Sequence, residues 1–229
     1  MGYAHFYPWQ LATKQLRVKL THKLDPVYDV PKLQAECNRI IEEYSPANQF
    51  GDDHEGGWKA VCLVSSGGDP YEDRYLDGVF TKTPALNLAP YMESIIDGFP
   101  GQTARVRLMQ LLPRENIFWH FDGWQSLDQK DVRLHIPIVT NSEVRFQISH
   151  EDCRWRPGEL WYGDFTFPHR LYNGGDSPRV HLVMDFAVNN EIKALFPRAI
   201  QDRVKTRRII RKLCARLCQL YTAKRYSHH

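Results

Sequence analysis

His120-Phe121-Asp122, His169 and Arg179 are the residues whose types and spacing together describe a chemistry. On extended backbone residues i and i+2 point to one face, so His120 and Asp122 can converge on a single ion. His169 follows 49 residues later near the head of a strand-like run, and Arg179 comes ten residues after it. Two histidines and a carboxylate on one face of an ion leave three coordination positions open, the arrangement of non-haem iron(II) oxygenases. In that chemistry 2-oxoglutarate chelates through its 1-carboxylate and 2-oxo oxygens and leaves one position for dioxygen. Its far carboxylate then needs a buried cationic fork. Arginine offers two parallel charge-assisted hydrogen bonds there, where lysine offers a point charge. Arg179 is placed for this if the strand starting at Phe167 and the strand starting at Val180 are neighbours, as the short turn over 173–178 suggests. Each piece alone carries little, because HxD tripeptides are common and a single His or Arg on a strand is usually structural. The ordered combination inside a run of short strands is much more specific.

The elements that must position these residues are mostly β. Short runs over 104–112, 116–120, 132–139, 144–149, 159–162, 167–172 and 180–188 are separated by turn-rich pieces such as Pro113-Arg114-Glu115 and Asn173-Gly174-Gly175-Asp176. Many short strands at close spacing predict an antiparallel sandwich or barrel. Upstream, Leu33, Cys37, Ile40, Ile41 and Tyr44 recur at helical spacing, with Pro31 suited to a helix start, and 88–99 reads as a second helix. These helices are expected to brace one sheet. Residues 6–30 read as irregular, with a possible strand over 16–20, and 59–65 as a strand. From 190 onward the pattern is helical again.

The stretch Val132-Arg133-Leu134-His135-Ile136-Pro137-Ile138-Val139-Thr140-Asn141 resembles one shared across the aspartyl/asparaginyl β-hydroxylase family. Pro157-Gly158-Glu159-Leu160-Trp161 and the segment from His169 to Asp185 resemble its later motifs. The likeness covers about 104–188. It implies a double-stranded β-helix (jelly-roll) core, iron(II), 2-oxoglutarate as co-substrate, and hydroxylation of an unactivated C–H bond with release of succinate and carbon dioxide. Dioxygen is then the oxidant, and ascorbate should help in vitro. By the same resemblance His120, Asp122 and His169 match the iron ligands and Arg179 matches the 2-oxoglutarate carboxylate clamp. His135 is read as a second 2-oxoglutarate contact and Arg133 as an anchor for a substrate carboxylate. They share one strand face, while Leu134, Ile136 and Ile138 take the other, core-facing one.

Two departures from the family pattern matter. The animal members have glycine where this chain keeps Asp122, so its ligand set sides with the bacterial proline-hydroxylase-like branch and disfavours halide transfer. Relatives often carry a glycine after the proline of Pro113-Arg114-Glu115, a change expected to affect only a turn. Trp124, beside the HxD turn, is expected over the substrate. His181 reads as a packed core histidine, and His5, His22, His54, His150, His228 and His229 have no ligand spacing. The expected substrate is an amino acid or a derived small molecule. A peptidyl or carrier-bound residue, or desaturation and cyclisation with the same cofactors, are the alternatives. A non-catalytic jelly-roll binding protein is the rival from another class, and predicts that loss of Asp122 or Arg179 would be harmless.

Composition frames this reading. The 229 residues suit one oxygenase domain, 1–189, and a helical basic extension, 190–229. The five cysteines form no CxxC pair, so neither a zinc ribbon nor a disulfide framework is suggested, and Cys214 and Cys218 read as small buried hydrophobes. No apolar run is long enough for a membrane span, and the first ten residues lack a secretory pattern, so a cytoplasmic protein is expected. Net charge is +3, yet 198–225 holds ten Lys or Arg against one acid. That segment reads as an amphipathic helix with a solvated basic face, open to an acidic partner, and no nucleic-acid partner is expected.

Overall fold

A computed structural model describes residues 6–49, 54, 56–76, 79–201 and 204–226, with side chains described as far as 222. His5, His228, His229, Asp202, Arg203 and the side chains of Lys224 and Arg225 lie outside the described residues. The chain forms two facing antiparallel sheets with helices at both termini. Its elements run α1 (Pro8–Gln15), β1 (Thr21–Val27), α2 (Val30–Tyr44), β2 (Ala47–Asn48), β3 (Trp58–Ser66), β4 (Phe80–Lys82), a 3-10 turn (Pro84–Leu88), α3 (Pro90–Asp97) and β5 (Thr103–Leu111). There follow β6 (Asn116–His120), β7 (Asp131–Val139), β8 (Val144–Ile148), β9 (Glu151–Asp152), β10 (Glu159–Gly163), β11 (His169–Asn173), β12 (Arg179–Ala187), α4 (Asn190–Ala194), α5 (Arg198–Gln201) and α6 (Val204–Tyr226).

The large sheet has the order β1-β10-β7-β12-β5-β3-β2, with β4 on β3, and the small sheet the order β6-β11-β8-β9. This is the expected jelly-roll. One expectation fails: β11 pairs with β6 and β8, whereas β12 pairs with β5 and β7. The two strands flanking the 173–178 turn therefore lie in opposite sheets. The turn crosses the sandwich, and buried Asn173 pins the crossing by donating to the carbonyls of Leu111 (3.1 Å), Leu112 (3.2 Å) and Ser177 (2.8 Å).

Strand alternation sets which side chains meet. On β7 and β12, Val132, Leu134, Ile136 and Ile138 and Val180, Leu182, Met184 and Phe186 join the apolar layer under α2 and α3. The alternate residues face the small sheet. α2 forms because Leu33, Cys37 and Ile40 make one buried stripe and Asp29 caps it, accepting from the Lys32 N–H at 3.1 Å. Buried Glu36 reaches from α2 to accept from the N–H groups of Tyr91 and Met92 in the first turn of α3, which ties the two helices together. Gly158, in the Pro-Gly-Glu-Leu-Trp motif, has φ +79, and a Cβ there would stand 2.6 Å from the Tyr28 carbonyl oxygen. That close approach explains the glycine.

The N-terminal segment differs from expectation. Residues 8–15 are helical and the first strand is Thr21–Val27, after the 16–20 stretch. Trp9, Gln10 and Thr13 are buried there through contacts far along the chain: Gln10 donates to the Ser149 carbonyl at 2.8 Å and the Thr13 and Ser149 hydroxyls are 2.8 Å apart. Partners more than 130 residues away make this helix, so no local periodicity announced it.

Candidate metal and co-substrate site

His120 and His169 end and begin their strands as direct partners across β6 and β11, with ring centroids 4.1 Å apart. Their separation in sequence thus disappears in one ladder step. The Nδ1 of each ring meets the carbonyl two residues back, His120 to Phe118 at 2.8 Å and His169 to Phe167 at 3.0 Å. Nδ1–H donation to a carbonyl leaves the Nε2 lone pair of each free for an ion. Asp122 follows β6 with its N–H donating to the Phe165 carbonyl at 2.8 Å, which holds the HxD turn against the loop before His169. One ligand atom from each of His120, Asp122 and His169 lies within 4.8 Å of the others.

The electrostatics suit a cation. Burial alone would raise the Asp122 carboxyl, but the Arg133 guanidinium with His169 and His120 brings it below its ordinary value. Burial, with His120 alongside, pushes His169 down to about 3, so it is neutral and a competent ligand at neutral pH. Arg133 hydrogen bonds to one Asp122 oxygen and leaves the other for an ion.

The facing wall is the inner face of the large sheet. Arg179 is 4% exposed, its guanidinium sits 5.4 Å over the Phe146 ring, and its Nη2 donates to His181 Nδ1 at 2.8 Å. Among the described residues no carboxylate pairs with it, and its Nε has no partner. Burial accordingly lowers its pKa to about 9. His135 is also buried, with Nδ1 3.3 Å from His181 Nδ1 and, among the described residues, no partner for Nε2. Burial and the nearby Arg179 and Arg133 charges hold it well below the usual imidazole value. These two orphaned polar groups share one cavity with His120, Asp122, Arg133 and His169, walled by Trp58, Phe146 and Phe165. A metal plus a chelating dicarboxylate fits this set: the cluster meets the ion and the uncompensated guanidinium meets a remote carboxylate. His181 is buried, as a packed histidine should be, but it hydrogen bonds to Arg179 and borders the site.

Arg133 lies opposite Asp185 across β7 and β12, and its Nε and Nη2 reach the two Asp185 oxygens at 2.7 and 2.8 Å. With Nη1 on Asp122, three of its five N–H groups are spent within the protein. Trp124 is absent from the cavity lining; it stands 43% exposed at the adjoining opening, edge-on to Tyr75 at 5.8 Å. That opening is lined by Trp58, Asp73, Tyr75, Arg105, Arg107 and Trp124 and reaches His120, Asp122 and Arg133.

Sequence reasoning singled out none of Arg105, Arg107, Asp73, Asp185, Trp58 and Phe165. Arg105 and Arg107 alternate with Val106 and Leu108 on β5, so the period-two signal for an inward polar pair was present. Arg107 pairs with Asp73 at 2.8 Å, and among the described residues its Nε, as well as that of Arg105, has no hydrogen-bond partner. Burial and the neighbouring Arg107 lower Arg105 to about 10. Phe165 stacks on His135 at 4.8 Å and meets the edge of His169 at 5.0 Å, contacts that nothing local in its loop announces.

Comparison with known proteins agrees with this geometry. Over 196 residues the chain is 26% identical to an L-proline cis-4-hydroxylase of Rhizobium meliloti (strain 1021), covering 83% of this chain and 69% of the relative. It is 29% identical over 159 residues to an L-proline cis-3-hydroxylase of Streptomyces sp., covering 65% and 51% respectively. A solved oxidoreductase of the 2OG-Fe(II) oxygenase family from Burkholderia pseudomallei shares the fold with a TM-score of 0.54 at 12% identity, over 83% of this chain and 95% of that one. The family model described as aspartyl/asparaginyl beta-hydroxylase matches residues 28–188, beginning well upstream of the motifs that first suggested it. The chain belongs to the aspartyl/asparaginyl beta-hydroxylase family.

Proposed function

We propose that this protein is an iron(II)- and 2-oxoglutarate-dependent dioxygenase that hydroxylates an unactivated C–H bond of an amino acid or amino-acid-derived small molecule. One observation carries the reading: Arg179, a buried guanidinium without a carboxylate among the described residues, shares a cavity with the His120, Asp122 and His169 cluster. We take residues 1–189 as the oxygenase unit and 190–229 as an extension, whose helix α6 packs on that unit through Ile210, Cys214 and Cys218.

His120, Asp122 and His169 hold the iron, Arg179 pairs with the remote carboxylate of 2-oxoglutarate, and His135 makes a second contact to it. When bound, iron, 2-oxoglutarate and dioxygen supply an oxidative decarboxylation in which one oxygen atom enters succinate and the other the substrate C–H bond, with release of carbon dioxide. The chain contributes position and dryness. Phe146, Phe165 and Trp58 exclude water, Arg133 orients the Asp122 carboxylate, and the neutral state of His169 keeps a ligand lone pair available at neutral pH.

The opening beside the iron position supports a carboxylate-bearing substrate. Arg105 and Arg107 face Asp73 there and share Asp185 with Arg133, and among the described residues the Nε of each has no hydrogen-bond partner. These two arginines, with the unspent N–H groups of Arg133, anchor a substrate carboxylate, and Trp124 covers the opening. The L-proline hydroxylases among the relatives support a free amino acid. Ascorbate sustains turnover by keeping the iron reduced. The five cysteines are buried, which fits a reducing compartment, the cytoplasm, and among the described residues no helix is long and apolar enough to cross a membrane. Exposed Lys205, Arg208, Lys212 and Arg216 on α6 are where an acidic partner would dock.

The test is succinate formation from 2-oxoglutarate with iron(II), ascorbate and oxygen, across free L-amino acids and short peptides. Substrate-stimulated succinate and a product heavier by one oxygen atom are expected with a free amino acid. Failure to bind both iron(II) and 2-oxoglutarate under anaerobic conditions would refute the reading.

A further inference from the structure

We propose that Arg207 and Arg211, on the buried face of α6, are positioning residues of the metal centre, holding the two loops that present Asp122 and His169. The proposal rests on the metal-site reading above. Sequence reasoning gave this helix a solvated basic face, and Lys205, Arg208, Lys212 and Arg216 are exposed as that requires. Arg207 and Arg211 point the other way and are 7% and 9% exposed.

Their partners sit in the two loops. Arg207 reaches Asp164 through Nε at 2.8 Å and Nη2 at 2.7 Å. Arg211 Nη2 lies 2.5 Å from Asp128 and 3.6 Å from Asp164, and donates to the Ser126 hydroxyl at 3.3 Å. Both guanidiniums lie 5.7 Å from the Phe167 ring centroid. Asp164, fully buried, opens the loop that leads to His169, and its side chain also accepts from the Thr166 N–H and hydroxyl. The next residue, Phe165, accepts from the Asp122 N–H and packs against the His169 ring. Asp128 and Ser126 belong to the loop that leaves Asp122, and Ser126 also meets the Tyr162 hydroxyl at 3.2 Å.

Residues 121–124 and 164–168 lie in no strand, so a sheet ladder does not fix their position. The Asp122 N–H bond to the Phe165 carbonyl ties the two loops to each other, and the pair of cations anchors both to α6, one through Asp128 and the other through Asp164. Docking by itself does not need them. Ile210, Cys214 and Cys218 already pack α6 into the apolar cluster of Trp9 and Trp119, and well-packed apolar residues stabilise at least as well as buried ion pairs. Buried pairs add fixed direction, which a metal ligand needs.

The test is anaerobic calorimetric titration of the full chain with manganese(II), read beside the thermal midpoint. Arg207→Gln, Arg211→Gln and Asp128→Asn should each weaken manganese(II) binding about tenfold or more, within the range for groups that orient ligands, and Arg211→Lys should recover part of the loss. Ile210→Ala should lower the thermal midpoint without moving the dissociation constant, and Lys212→Gln should move neither. Arginine variants that bind as wild type does, or whose affinity only follows the midpoint as Ile210→Ala defines it, would overturn the proposal. Should Arg207→Gln fail to fold, Asp128→Asn and Arg211→Lys decide by the same criterion. A wild-type chain that binds no manganese(II) overturns the metal-site reading and this one with it.

Discussion

The two sheets face each other across one cavity but are built on different principles. The small sheet supplies His120 and His169, each with Nδ1 bonded to a carbonyl two residues away, and its chemistry is local. The large sheet carries Arg105, Arg107, Arg133, His135, Arg179 and Asp185 on its inner face, from three strands spread over some eighty residues. There the charges are fixed by cross-strand neighbours: Arg133 faces Asp185, and Val183 lies between His135 and Arg107. The candidate metal site therefore rests on a tripeptide and one ladder step between two strands, whereas the cluster of buried arginines needs three strands of a finished sheet. The small sheet should control metal affinity, and the large sheet co-substrate affinity and stability.

The sharpest way to break this division is His169→Ala. It should abolish metal-dependent succinate formation and metal binding while circular dichroism shows a folded chain; a variant that keeps wild-type turnover would refute the ligand assignment. Arg179→Gln should leave metal affinity within a few-fold of wild type and raise the 2-oxoglutarate KM by about 100- to 1,000-fold, the effect of losing one side of a buried charge pair. An equal loss of metal affinity would mean that the two sheets do not divide the work.

Asp185→Asn probes the large sheet alone. It leaves Arg133 with only Asp122 and removes the carboxylate 3.6 and 3.9 Å from Arg105 and Arg107. Stability should fall by about 3 kcal/mol or more, measured by urea unfolding of the metal-free protein. Acid should sharpen the contrast between a buried site and an exposed surface. His135 and His181 are held well below the ordinary imidazole value and His169 near 3, each mainly by burial. The unfolded chain takes up these protons at about pH 6.5 and the folded chain does not. No penalty exists above that pH, and stability falls as the pH drops from about 6.5 toward 3, by up to about 1.4 kcal/mol per pH unit for each histidine. Metal-free unfolding curves between pH 7.5 and 5 check the sign, and a flat profile would show that these rings accept protons in the fold.

The smallest effect is expected at Arg114, in the turn that joins β5 to β6. Its φ of +66 lies in the left-handed region that glycine adopts without strain. Arg114→Gly should stabilise the chain by up to about 1 kcal/mol, visible as a small rise in thermal midpoint, with no change in metal binding. A drop would mean that the contact of Arg114 with Asp176 outweighs the backbone strain.

Seven strands from 104 to 188, the helix over 30–44 and the spacing of His120, Asp122, His169 and Arg179 were readable from the chain alone. Period-two alternation, helix capping and the i, i+2 geometry of HxD are local, and local patterns survive in sequence. The failures share a cause. Helix α1 depends on partners beyond residue 145, and β11 and β12 separate because a turn can return within one sheet or cross to the other with much the same residues. Only the packed sandwich decided that Arg179 approaches His169 from the opposite wall, that Arg133 is held by Asp185, and that two of the tail's arginines turn inward. Each of these sets the sign and distance of a buried charge. Such charges are tolerated only where partners from distant strands meet them, and that meeting exists in the tertiary structure alone.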